Sequence, residues 1–141
     1  MKLAIETHGT GQPLVLIHGM GSAATAWQPI IPALAKQFSV VTIDLPGHGR
    51  TPYSPIQKMD PTSLAQLVLK NLKNIGIESF HLVANSLGGW VSFEIAVLNP
   101  AAVKSITALA PAGLWLTPFT SRYPGELALR VMASGVEKLA P

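Results

Sequence analysis

Apolar residues recur along this chain in two alternating rhythms. Residues 13–17 (Pro-Leu-Val-Leu-Ile), 38–43 (Phe-Ser-Val-Val-Thr-Ile), 80–84 (Phe-His-Leu-Val-Ala) and 103–109 (Val-Lys-Ser-Ile-Thr-Ala-Leu) are short apolar runs rich in β-branched side chains. Such runs predict strands buried on both faces of a sheet. Residues 3–7 predict one more short strand, closed by the turn formers Gly9, Thr10 and Gly11. Between the runs the spacing changes to three and four. Trp27, Ile30, Ile31, Leu34 and Ala35 share one stripe of a helix predicted over residues 23–37, in which Pro29 and Pro32 imply a late start or a kink. Leu64, Leu67, Val68, Leu72 and Ile75 share another, with Asp60 as N-cap, Pro61 in the first turn and Gly76 as the stop. Residues 87–98 and 126–139 predict two further helices, the first ended by Asn99-Pro100. Strands alternating with helices at this interval imply βαβ units. The fold class expected is α/β, a mostly parallel sheet with helices on both faces.

Composition narrows the picture. The chain has 141 residues, which suits a single domain, and only 12% of them are charged, about half the usual share. So few charges agree with a sheet covered on both sides. The net charge of +3 comes from scattered lysines and arginines with no basic run, which argues against nucleic acid as a partner. Cysteine is absent, excluding disulfides and thiolate metal sites. Glu6 and His8 interrupt the start too early for a secretion signal, and no apolar run has membrane-spanning length. A cytoplasmic protein without membrane contact is expected. Neither GxGxxG nor GxxxxGK[ST] occurs, and no cofactor or metal site is expected.

The chemistry concentrates at residues 81–90, His-Leu-Val-Ala-Asn-Ser-Leu-Gly-Gly-Trp. A strand-like run ends in Ala84-Asn85-Ser86-Leu87-Gly88, and a helix pattern begins at once. This is the layout of a nucleophile elbow, a sharp strand-to-helix turn that lifts a serine hydroxyl above the sheet and aims the next backbone N–H at the same spot. Small residues must flank the serine two places before and two places after; here Ala84 and Gly88 do so. The competing reading is a serine that only caps the following helix. Two other loops follow predicted strands: His18-Gly19-Met20-Gly21 and Asp44-Leu45-Pro46-Gly47-His48-Gly49.

With the elbow and these two loops in this order, the chain resembles the α/β-hydrolase superfamily over residues 3–120. The resemblance implies Ser86 as catalytic nucleophile, with the backbone N–H groups of Met20 and Leu87 as the oxyanion hole. It makes His18, Gly19, Gly21 and Gly88 supporting residues: His18 braces the first loop and Gly21 lets it approach the substrate. The Asp44–Gly49 loop is a structural connection in that family. Asn-Ser-Leu-Gly-Gly also resembles the elbow of hydrolases that cleave carbon–carbon bonds, and a serine nucleophile argues against the haloalkane dehalogenase and epoxide hydrolase branches.

The pattern departs from the family after the elbow. The triad order is Ser, acid, His, yet no histidine follows Ser86, and the later acids are Glu94, Glu126 and Glu137. The chain resembles the N-terminal half of a hydrolase core, with the start of a lid at about residues 114–141. His81 begins the strand that Ser86 ends, five residues away at about 3.3 Å each, and so sits on the opposite rim. His8 has no route to Ser86. His18 and His48 follow strand ends on the correct rim, but the resemblance gives both a structural role. Trp27, Trp90 and Trp115 read as core or lid packing, Asp44 as an acceptor for its own loop, and Arg122 and Arg130 as solvated charges.

Two functions are therefore weighed. One is a serine hydrolase acting on the ester, amide or carbon–carbon bond of a small acyl or ester-like substrate, weakly active or inactive as this chain alone. The other is a non-catalytic binding or complementation module. The strand at residues 103–109 is expected to form an open sheet edge prone to self-association.

Overall fold

A computed structural model of the protein describes residues 1–114. Five strands form one sheet: β1 (Ala4–His8), β2 (Gln12–Ile17), β3 (Phe38–Asp44), β4 (Phe80–Asn85) and β5 (Val103–Leu109). Their order is β1-β3-β2-β4-β5. β1 runs antiparallel to β3, and the other neighbours are parallel. The parallel strands therefore end on one rim, at Ile17, Asp44, Asn85 and Leu109.

Three helices accompany them: α1 (Ile31–Leu34), α2 (Pro61–Asn74) and α3 (Leu87–Leu98). Asp60 caps α2 as expected, its carboxylate accepting the Ser63 N–H at 2.9 Å. The helix expected over residues 23–37 does not form as one element. It breaks into a 3₁₀ turn, Ala24–Trp27, and the single turn of α1. Pro29 and Pro32 supply no N–H and clash with the preceding turn, so a continuous helix cannot pass through them. The helix expected at residues 126–139, the lid at 114–141 beyond Leu114, and Trp115, Arg122 and Arg130 lie outside the described residues.

Helical segments cover both faces, but unequally. On one face Val15, Ile17, Val41, Ile43 and Leu82 pack against Leu64, Val68 and Leu72 of α2 and Val91 and Ile95 of α3. On the other, Leu14, Leu16 and Val40 meet Trp27, with Ile31 and Leu34 of α1 at the margin. Each fully buried aliphatic side chain contributes roughly 1.5–3 kcal/mol, so the face bearing α2 and α3 dominates stability. Among the described residues β5 is an edge, paired only with β4.

Candidate active site

Chain direction defines the site. From β2 the chain moves toward β3, and from β4 it moves the opposite way, toward β5. The carboxyl ends of the adjacent strands β2 and β4 therefore bound the kind of crevice in which open α/β sheets bind ligands. Two turns meet there: the loop after Ile17 and the corner after Asn85.

The corner is strained. Ser86 has φ 50° and ψ −115° and is half-buried. A non-glycine residue held there costs about 1–3 kcal/mol and persists only when its surroundings over-determine it. A capping serine would be extended, with its oxygen accepting an N–H from the first turn. Ser86 is not extended, and its side chain makes no capping bond to α3. The capping reading is excluded.

Close backbone contact holds the corner. A Cβ on Gly88 would lie 2.4 Å from Ile17 O and 2.6 Å from His18 O, so only glycine lets α3 start against the end of β2. A Cβ on Gly19 would stand 2.8 Å from Asn85 Oδ1 and 3.1 Å from Ser86 Cβ, so the first loop lies directly on the serine. The Ser86 N–H donates to Leu109 O at 3.0 Å, and its carbonyl accepts the Ala112 N–H at 2.9 Å. Asn85 Nδ2 also donates to Leu109 O, at 3.1 Å. Asn85, Leu109 and Ala112 escaped the sequence reading. In the sequence, Pro111-Ala112-Gly113 shows only that the periodic pattern loosens, and nothing at Asn85 signals its bond.

Side chains hold the loop after β2. His18 Nε2 accepts the Leu45 N–H at 3.0 Å, which leaves the proton on Nδ1 to donate to Gly19 O at 2.7 Å. His48 repeats the arrangement, accepting the Gly21 N–H at 3.1 Å and donating from Nδ1 to Pro46 O at 2.9 Å. The two imidazole centroids are 5.1 Å apart. Asp44 accepts from the Arg50 N–H in its own loop, as expected, and also from the Ala24 N–H of the segment after β2 at 2.7 Å. Burial pushes the His18 imidazole below its ordinary pKa, and the nearby His48 adds to this against the opposing Gly19 bond and Asp44 charge.

The structure thus brings together Ser86, Gly19, Gly88 and His18, with Met20 exposed on the loop and Leu87 half-buried at the start of α3. It places His8 and His81 on the opposite rim: His8 pairs with Val40, and His81 bonds Ser105 and Gln12. A cavity of about 240 Å³ opens beside the corner, with Gly19, Ser22, Trp27, Asn85 and Leu109 in its wall. A larger one of about 1020 Å³ lies between β1 and the end of α2, lined by residues such as Lys2 and Asn74, away from this rim. Among the described residues no group of three or more His, Cys, Asp or Glu side chains is placed to hold a metal ion, and no helix is long and apolar enough to cross a membrane.

Known proteins resemble this chain in sequence and in fold. A component of the acetoin cleaving system of Pseudomonas putida, named a dihydrolipoyllysine-residue acetyltransferase, is 41% identical over 104 residues, 74% of this chain and 28% of that protein. The pimeloyl-acyl-carrier-protein methyl ester esterase of Aeromonas hydrophila is 33% identical over 140 residues, covering 99% of this chain and 52% of the esterase. The chain thus spans about half, or less, of the length of these relatives. A solved marine microorganism esterase superposes with a TM-score of 0.83 over 99% of this chain and 52% of that one; at 23% identity this is a likeness of fold. A family model described as the alpha/beta hydrolase fold matches residues 12–138, a span that runs from β2 through both turns of the rim and beyond β5. The chain belongs to the α/β-hydrolase fold family.

Proposed function

We propose that this chain carries the nucleophile and oxyanion cradle of a serine hydrolase that cleaves a small acyl ester. The observation that carries the reading is the conformation of Ser86, strained at the head of α3 with its side chain unused as a cap. Ser86 Oγ attacks the ester carbonyl carbon and gives up its proton to a base. The oxyanion formed is received by the N–H groups of Met20 and Leu87. Expulsion of the alcohol, which takes up the proton, leaves an acyl-enzyme that water then hydrolyses. The ester class is taken from the Aeromonas hydrophila relative, which is named a methyl ester esterase.

The base is not one of the chain's four histidines. None follows Ser86 in the sequence, both ring nitrogens of His18 and His48 are committed to backbone partners, and His8 and His81 sit on the far rim. A serine without a base is a weak nucleophile, and an oxyanion hole with substrate binding alone retains roughly 10³–10⁴-fold over water. The chain by itself therefore reacts slowly. Incubation with excess fluorophosphonate, followed by intact and peptide mass spectrometry, is expected to give a slow single adduct on Ser86 that Ser86→Ala abolishes. Rapid labelling would show that a base is present after all. No adduct after prolonged incubation would reject the nucleophile and leave a binding module.

A further inference from the structure

The described chain contains two non-glycine residues with positive φ, Ser86 at 50° and Ala110 at 42°. They belong to one network. The residues flanking Ala110 grip both backbone groups of Ser86: Leu109 O accepts its N–H, and Ala112 N–H donates to its carbonyl. Leu109 O also accepts the Asn85 amide. Two contacts press the same segment onto α3. A Cβ on Gly89 would lie 2.6 Å from Pro111 Cβ, and one on Gly113 would lie 2.5 Å from the Trp90 ring.

From this geometry we infer that residues 109–113 act as a clip that positions the nucleophile. The clip's hydrogen bonds with Ser86 go to its backbone and not to its hydroxyl. The clip acts through Ser86, opposing relaxation of the corner toward an ordinary helix cap. Ladder pairing ends at Asn85↔Leu109, and a chain that left β5 extended would carry Ala112 away from Ser86. The reversal at Ala110 instead brings Ala112 back to the serine carbonyl, and the strain there is the cost of that reach. Ala112 and Pro111 are thus positioning residues, a role that rests on the reading of Ser86 as nucleophile but concerns a separate part of the chain.

Two variants loosen the clip without altering Ser86. Ala112→Pro removes the closer of the two N–H groups that the serine carbonyl accepts (Trp90 donates the other, at 3.3 Å), and Gly89→Ala drives a methyl group into Pro111. Ala112→Gly keeps the N–H and is the conservative control. Fluorophosphonate labelling of the 141-residue chain is followed over time for each, and the maximal rate is separated from the reagent's binding constant. A net hydrogen bond of ordinary strength corresponds to a fall of about tenfold in the maximal rate for Ala112→Pro, with the binding constant unchanged and Ala112→Gly at the parent rate. Amide hydrogen exchange supplies a second readout that needs no reactivity. The Ser86 amide is expected to lose protection in Ala112→Pro and Gly89→Ala while the amides of β2 and β3 keep theirs. If the parent never labels but the Ser86 amide loosens selectively, the nucleophile reading falls and the clip stands. Parent-like labelling or unchanged Ser86 protection in both variants would overturn the clip.

Discussion

The two turns that meet at the rim are held by different chemistry. The loop after β2 depends on side chains that accept backbone N–H groups: His18 for Leu45, His48 for Gly21 and Asp44 for Ala24. The corner after β4 depends on missing side chains at Gly88 and Gly19 and on backbone bonds to Leu109 and Ala112. A structure held by imidazoles can be undone by a proton. One held by backbone contact is undone by added bulk or by the loss of a backbone N–H. The same rim should thus fail in two distinguishable ways.

The largest effect is expected from Gly88→Ala. The new methyl meets the carbonyl oxygens of Ile17, at the end of β2, and His18, just after it, at 2.4 and 2.6 Å, and neither belongs to a flexible side chain. Alanine's better helix propensity returns at most about 1 kcal/mol. Forced overpacking of this kind costs roughly 1–3 kcal/mol, with the upper end expected against rigid backbone, so a net loss of about 2 kcal/mol is expected in urea unfolding. Ser86 labelling should fall with it, at neutral and acidic pH alike. A variant as stable as the parent would show that α3 does not need to press on β2.

Acid should act on the other turn first. Burial holds the folded-state pKa of His18 below its ordinary value of 6.5, so folding favours the neutral ring. Its contribution is present in full above that value and is lost as pH falls from there toward the folded pKa, because the unfolded chain takes up a proton that the folded chain refuses. One such proton gives a slope of up to about 1.4 kcal/mol per pH unit in that window. Protonation at Nε2 also removes the acceptor for the Leu45 N–H. Amide exchange across this range should therefore show Leu45 losing protection while Ser86, bonded to Leu109 O, keeps it. His18→Gln is expected to flatten the pH dependence of stability. Equal loss at both amides would collapse the distinction between the turns.

What could be read from the sequence follows the same division. The elbow was legible because Ala84-Asn85-Ser86-Leu87-Gly88 packs its requirement for small residues into five positions between a strand and a helix. The sheet was legible because strands covered on both faces write themselves as apolar runs, as residues 13–17 and 38–43 do. The break in the segment after residue 23 was half legible: its prolines pointed to a kink, but an apolar stripe cannot say whether tertiary contact will carry a helix past them. The bonds of His48 to Gly21 and of Asp44 to Ala24 were not legible, since they join residues 27 and 20 apart in sequence. Nor was the clip at residues 109–113, because bonds made by backbone atoms leave no mark on residue identity.

The smallest effect sharpens the comparison most, because it separates strain from contact. Ala110 sits at φ 42°, where an L-residue pays about 1–2 kcal/mol and glycine almost nothing. Glycine also gives the unfolded chain more freedom, which takes back about 0.4–1 kcal/mol. Ala110→Gly should therefore stabilise the chain by only about 0.5 kcal/mol, a shift that replicate urea titrations can resolve. It removes neither Leu109 O nor the Ala112 N–H, so Ser86 labelling and Ser86 amide protection should stay at parent values. If stability rises while the serine's behaviour is unchanged, the corner is held by the bonds of its neighbours. If labelling falls instead, stiffness at Ala110 itself is what keeps Ser86 in place, and the backbone-held turn depends on a side chain after all.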